Sequence, residues 1–160
     1  MKIGCIGKGM VGEAIYKGLK KLNNDMYFYD PKFKESKMLH IIDTDIVFIS
    51  VPTIPTENNE CDLSILYKVL DEIHNLKYKG IICIKSTITP GITRKMIDKY
   101  SNDKICFCPE FLKERCAYED FMINNPICII GTENKDAFEI IKKIHLPISR
   151  SEEHTSELQS

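Results

Sequence analysis

Two carboxylates four residues apart, Glu110 and Glu114, follow the short apolar run Ile105-Cys106-Phe107-Cys108 within the segment Pro109-Glu110-Phe111-Leu112-Lys113-Glu114. A run of that length suits a buried strand, and Pro109 ends it because proline has no N–H for a ladder. If the next segment is helical, i, i+4 spacing sets both acids on one face. In an open parallel sheet that face lies in the crevice at the carboxyl ends of the strands, where ligands bind. Two carboxylates in unequal surroundings can divide acid and base work, because environment moves their pKa values apart. The plainer reading is a solvated helix start, where acids favour the helix dipole.

A second group of residues suits phosphate binding. Gly7-Lys8-Gly9-Met10-Val11-Gly12 follows an apolar run, 2–6, and opens an amphipathic stretch. In that context Gly7 permits a tight turn, Gly9 lets the backbone approach a pyrophosphate, and Gly12 lets helix pack on strand. The helix start, with Met10 and Val11, supplies free N–H groups and positive partial charge. Asp30 closes the second apolar run, eighteen residues after Gly12. An acid there accepts hydrogen bonds from ribose hydroxyls and repels a 2′-phosphate, which points to NAD rather than NADP. Lys32 stands close by and weakens that preference. Val51-Pro52-Thr53 and Lys85-Ser86-Thr87 end two further apolar runs. Thr53 and Thr87 would then lie along the same crevice, with hydroxyls able to orient a nicotinamide amide or a water, or serve only as turn residues.

These residues require a scaffold of alternating strands and helices. Strands are predicted at 2–6, 26–29, 46–51, 80–84, 105–108 and 127–130. Helices are predicted at 11–22, 63–76, 93–100, 111–121 and 135–144. Strands separated by helices imply crossover units and a parallel sheet covered on both faces. Ile46-Val47-Phe48-Ile49-Ser50-Val51 is apolar nearly throughout, as a doubly covered strand should be. Asp62 and Ser64 offer helix caps, while Pro90-Gly91 and Asn125-Pro126 mark loops. The expected fold class is α/β, a Rossmann-type doubly wound sheet in a single domain over 1–149.

Composition excludes several classes. The chain has 160 residues, 43% hydrophobic and 28% charged, with formal net charge -1. That charge leaves no footprint for nucleic acid or an anionic membrane. No apolar run approaches the roughly 20 residues a membrane helix needs. The sequence enters its first strand directly, without a signal-peptide pattern. Seven cysteines include no Cys-x-x-Cys pair, and Cys5, Cys83, Cys106, Cys108 and Cys128 fall in predicted buried strands, as small hydrophobes do. Reduced thiols in a cytoplasmic protein are expected. No histidine follows Cys106 and Cys108 at ligand spacing, so no metal is expected. His40, His74 and His145 read as structural or solvated.

The ordered set resembles the N-terminal domain of the UDP-glucose/GDP-mannose dehydrogenase family. It comprises Gly7 to Gly12, Tyr29-Asp30-Pro31, Val51-Pro52-Thr53, Asp62-Leu63-Ser64, Lys85-Ser86-Thr87 with Pro90-Gly91, Pro109 to Glu114, the run Glu114 to Phe121, and Gly131. The likeness spans 1–149. Phe111-Leu112 after Glu110 resembles the glucose and mannose branches; the N-acetylmannosamine branch usually has an arginine directly after that glutamate. The resemblance implies a four-electron oxidation of a sugar C6 alcohol to the uronate with two NAD, in polysaccharide biosynthesis. It runs through capture of the aldehyde by a cysteine and hydrolysis of the thioester. Carried over by motif, Glu114 would serve the hydrolytic water and Thr87 would hold that water or the reacting oxygen. Glu110 would line the nicotinamide–substrate junction, with Thr53 nearer the cofactor. Phe111, Leu112 and Lys113 would border the nucleotide-sugar.

The departures matter as much. The family's nucleophilic cysteine, its central-helix lysine and asparagine, and its nucleotide-sugar domain lie beyond the motifs present. None of the seven cysteines occupies the nucleophile's position, and Cys128 stands where many relatives carry arginine. The piece is therefore expected to bind NAD without turnover, with poor solubility alone, while the intact protein is a homodimer acting on UDP-glucose or GDP-mannose. A stand-alone NAD-binding or interaction module is the competing expectation. Residues 150–160 abandon the apolar periodicity, and their codons can match a sequencing adapter, so the tail is read as foreign to the domain.

Overall fold

Five short apolar runs become strands in a computed structural model that describes residues 1–58, 60–124 and 127–148. They are β1 (Lys2–Ile6), β2 (Asp25–Tyr29), β3 (Ile46–Ile49), β4 (Ile81–Ile84) and β5 (Ile105–Phe107). All pair in parallel, in the order β2-β1-β3-β4-β5. The chain runs out from β1 to β2, then returns to lay down β3 on the other side of β1. The topological switch therefore lies between β1 and β3, where such sheets bind ligands. The helices are α1 (Met10–Lys21), α2 (Leu39–Ile42), α3 (Ser64–Asn75), α4 (Ile92–Tyr100), α5 (Ala117–Met122) and α6 (Lys135–His145). The doubly wound α/β fold is the one expected.

The period of two along each strand builds two cores at once. Ile46 and Phe48 of β3 join Ile3, Cys5, Cys83, Ile15, Leu19, Phe121 and Ile141 beneath α1, α5 and α6. Val47 and Ile49 face the other way, among Ile41, Leu66, Leu70, Ile73 and Met96 of α2, α3 and α4. Each such side chain, fully buried, stabilises the fold by about 1.5–3 kcal/mol relative to exposure. Helix α1 meets α5 closely: a Cβ on Gly18 would lie 2.7 Å from the Phe121 ring and from the Met122 sulfur. Neither Asp62 nor Ser64 occupies the N-cap of α3, which is Leu63 without a side-chain cap bond; Asp62 instead accepts the N–H of Ser64, the first helical residue, at 2.9 Å.

Three expectations are corrected. The run 127–130 forms no strand. Gly131 alone pairs with Phe107, antiparallel, through N–H to carbonyl bonds of 2.9 and 2.7 Å. Its apolar residues report burial rather than a ladder, since Cys128 and Ile130 pack against the core while Ile127 stays exposed. Cys128 is accordingly half-buried and outside any strand. The helix expected over 111–121 begins only at Ala117, after a 3₁₀ turn at Glu114–Cys116. Lys113 stays extended (φ -85°, ψ 134°), because its N–H donates to the Asp120 carboxylate at 2.9 Å. Helix α2 is one short turn that was not foreseen, although Met38 and Ile41 are buried three residues apart. The Asn125-Pro126 loop and the tail from 149 onward fall outside the described residues. Among the described residues no helix is long and apolar enough to cross a membrane.

Candidate dinucleotide site and a buried polar cluster

Parallel pairing puts the carboxyl ends of all five strands on one side, and the motif residues lie there. After β1 the chain turns at Gly7, whose φ of +86° and 2.5 Å separation between an added Cβ and the Ser50 carbonyl oxygen exclude other residues. A Cβ on Gly12 would stand 1.9 Å from the Gly7 carbonyl oxygen, so the first turn of α1 rests directly on the loop. Ser50 Oγ donates to that same carbonyl at 3.0 Å. Gly9 is different: an added Cβ would meet nothing within 4 Å. It therefore faces open space over a helix start that no side chain caps. Free N–H groups and the positive end of a helix dipole are what a pyrophosphate needs, so the residues present fit a dinucleotide.

Asp30 is held at the rim of this loop. Its Oδ2 accepts the Lys8 N–H at 2.8 Å and its Oδ1 accepts the Lys32 N–H at 2.9 Å. Each oxygen keeps a lone pair for a ribose hydroxyl. Lys8 itself is pinned: its ammonium sits 4.0 Å from the Phe28 ring centre, 4.8 Å from Tyr16 and 5.2 Å from Phe33, with Glu13 at 3.6 Å. Cation–π contact of this kind fixes the residue whose N–H orients Asp30. Across the crevice, Thr53 Oγ1 donates to the Thr87 carbonyl at 2.7 Å. Ser86 Oγ donates to the Val51 carbonyl, also at 2.7 Å. The loops after β3 and β4 are thereby joined, with Pro52 and Thr87 exposed.

Glu110 and Glu114 part company. Pro109 to Lys113 is not helical, so Glu110 and Glu114 share no helix face. Glu110 turns inward and pairs with Lys85, their side chains 4% and 1% exposed. Glu114 is exposed on the 3₁₀ turn. Phe111 and Lys113 are also exposed, whereas Leu112 packs on the core.

Lys85 is the centre of a cluster that sequence spacing did not reveal. Its Nζ lies 3.1 Å from Cys108 Sγ and 3.1 Å from His145 Nε2. Cys108 and Cys128 sulfurs are 3.9 Å apart. His145, only 2% exposed, is structural rather than solvated, and it lies beside the thiols although no ligand spacing in the sequence links them. Burial would lower the Lys85 pKa, but the Cys108 and Glu110 charges raise it above its usual value. Cys108 is held well below the ordinary thiol range, first by hydrogen bonds from Cys128 and Cys83, then by Lys85 and His145. Cys5, deeper in the same core, is pushed up to about 12 by burial.

Two outcomes follow from this packing. Removing one member of a buried ion pair strands the other charge, at a cost of about 3–5 kcal/mol. Lys85→Met and Glu110→Gln should each lower stability strongly in urea unfolding, and the double variant should recover most of the loss. Additive losses would contradict the pair. The Asp120 carboxyl is held below its ordinary value, chiefly by accepting the Lys113 N–H. Its contribution is present above the unfolded pKa of about 3.9 and disappears as pH falls through the lower folded value. Asp120→Asn should thus shrink the stability difference between about pH 6 and about pH 3; an unchanged difference would contradict this role.

The sequence signature of the UDP-glucose/GDP-mannose dehydrogenase family, NAD binding domain, matches residues 32–149. UDP-glucose 6-dehydrogenase of Rickettsia bellii is 36% identical over 112 residues, 66% of this chain and 25% of that enzyme. The enzyme of the same name from Streptococcus pneumoniae is 31% identical over 102 residues, 63% of this chain and 25% of its own length. This chain spans about a quarter of the length of these relatives. Among solved structures, GDP-mannose dehydrogenase from Pseudomonas aeruginosa superimposes with a TM-score of 0.79 at 20% identity, over 93% of this chain and 45% of that one. UDP-D-ManNAc dehydrogenase from Pyrococcus horikoshii gives 0.81 at 16% identity, over 98% and 47%. At such identities the structural likeness speaks for the fold, and the signature, which covers most of the sequence, speaks for kinship: the chain belongs to the UDP-glucose/GDP-mannose dehydrogenase family and carries its NAD-binding domain.

Proposed function

We propose that this chain is the NAD-binding part of a nucleotide-sugar dehydrogenase that oxidises the C6 alcohol of a UDP-sugar, UDP-glucose, to the uronate. The observation that carries the reading is the open space at Gly9 above the uncapped start of α1, with Asp30 fixed at its rim. The backbone N–H groups of Met10, Val11 and Gly12 would hold the pyrophosphate and Asp30 the ribose. Val51, Pro52, Thr53 and Thr87 would flank the rest of the cofactor, which accepts hydride when bound. The names of the relatives support UDP-glucose as substrate.

The chain's own side chains then divide the work by exposure. Glu110, tied to Lys85, is a fixed anion that can orient but cannot swing. Glu114, free in solvent, is the carboxylate with reach to a water, as a general base requires. Thr87 offers its hydroxyl at the end of β4 to that water or to the reacting oxygen. Phe111, Leu112 and Lys113 would border the sugar nucleotide. Partners in this reading are the nucleotide-sugar and a second copy of the intact protein. The 160 residues alone bind NAD without turning over substrate.

Calorimetric titration with NAD tests the reading. The chain should bind one NAD, and Gly9→Glu should abolish binding by filling the open space with a bulky anion. Asp30→Ala should weaken NAD by about tenfold or more, the worth of hydrogen bonds to a charged group, and should erase the preference over NADP. Equal affinity in the parent and Gly9→Glu would overturn the assignment.

A further inference from the structure

We propose that Cys108, Cys128 and His145 form a site for one thiophilic divalent cation of the zinc class. The three ligand atoms lie within 4.8 Å of one another. They come from the end of β5, the irregular segment after α5 and the last turn of α6. Two thiolates at about 2.3 Å from a tetrahedral ion stand about 3.8 Å apart; the sulfurs here are 3.9 Å apart. The imidazole is already oriented as a ligand. Its Nδ1–H donates to the Ile141 carbonyl at 2.9 Å, which leaves Nε2 as the acceptor nitrogen, now facing the Lys85 ammonium and within 4.8 Å of both sulfurs. A second hydrogen bond of this kind is the usual companion of metal-bound histidine.

The donor set already surrounds a positive charge, the Lys85 ammonium, 3.1 Å from both Cys108 Sγ and His145 Nε2. A metal ion would take over the Nε2 lone pair. Lys85 would keep its bond to Glu110 and donate an N–H to the Cys108 sulfur. The charges of the ion and Lys85 are then matched by two thiolates and Glu110, so the buried cluster stays neutral. Binding releases the proton of the Cys128 thiol. The fourth coordination position would be left to solvent on the side of Cys128, which is half-buried and follows exposed Ile127. The site is independent of the dinucleotide reading, because none of its three ligands is assigned to the cofactor.

The test is titration of the fully reduced 160-residue protein with Co²⁺ as the optical probe. One ion per chain is expected, with a near-ultraviolet thiolate-to-cobalt band and strong visible bands of four-coordination, both bleached by equimolar Zn²⁺. Cys128→Ser and His145→Asn should each weaken binding by at least tenfold, while Cys61→Ser/Cys116→Ser should leave it unchanged. Lys85→Met/Glu110→Gln, which removes the competing ammonium together with its counter-ion, should bind as tightly or more tightly. Circular dichroism confirms folding of each variant. Should a ligand variant fail to fold, the Zn²⁺-dependent rise in the melting temperature of the parent protein, with proton release, decides in its place. Absence of the thiolate band and of that rise, or a band that survives in Cys108→Ser/Cys128→Ser, would overturn the site.

Discussion

The approach of α1 to the glycine loop is the constraint on which the rest of this structure depends. With Gly12 resting on the Gly7 carbonyl and Ser50 bonded to the same oxygen, the helix start is fixed between the ends of β1 and β3. No larger residue fits at either glycine. The consequence is a helix start that no side chain among the described residues caps, facing open space at Gly9. Such a helix end needs a ligand or water as partner. In the proposed reading the fold carries its binding capacity as a backbone property, and Asp30 refines which nucleotide is taken.

The carboxylates of Glu110 and Glu114 stand in opposite surroundings. Glu114 is exposed on its 3₁₀ turn and solvated. Buried ones such as Glu110 are held by a partner, and their cost of desolvation is offset only while that partner remains. Lys85 links the two regimes. It ends the strand that leads to Thr87, yet its ammonium lies in the core among Glu110, Cys108 and His145. The positions of the crevice loops and the order of the buried cluster are therefore coupled through one side chain.

Legibility in the sequence followed the range of the interactions. Gly7, Gly9, Gly12 and Asp30 could be read directly, because a glycine turn, a helix start and a strand end are local features with local spacing. The alternation that sends Ile46 and Phe48 to one face and Val47 and Ile49 to the other is equally local. The conformation of Pro109 to Lys113 was not legible: the spacing of Glu110 and Glu114 suits a helix, but a hydrogen bond from Lys113 to Asp120 and the pull of Lys85 decide otherwise. The grouping of Lys85, Cys108, Cys128 and His145 was also hidden. Each comes from a separate element, and only the folding of α6 back over the sheet brings the imidazole to the thiols. The run 127–130 misled because an apolar stretch signals burial and does not distinguish a strand from an irregular packed segment.

The central claim is that the backbone at the start of α1 holds the dinucleotide. Amide chemical shifts of an isotope-labelled sample, followed while NAD is added, test it most directly. The account predicts saturable shifts concentrated at Lys8, Gly9, Met10, Val11, Gly12 and Asp30, with α3 and α4 unaffected. Saturable shifts confined to α3 or α4, or none at Gly9 and Met10 at saturating NAD, would contradict it.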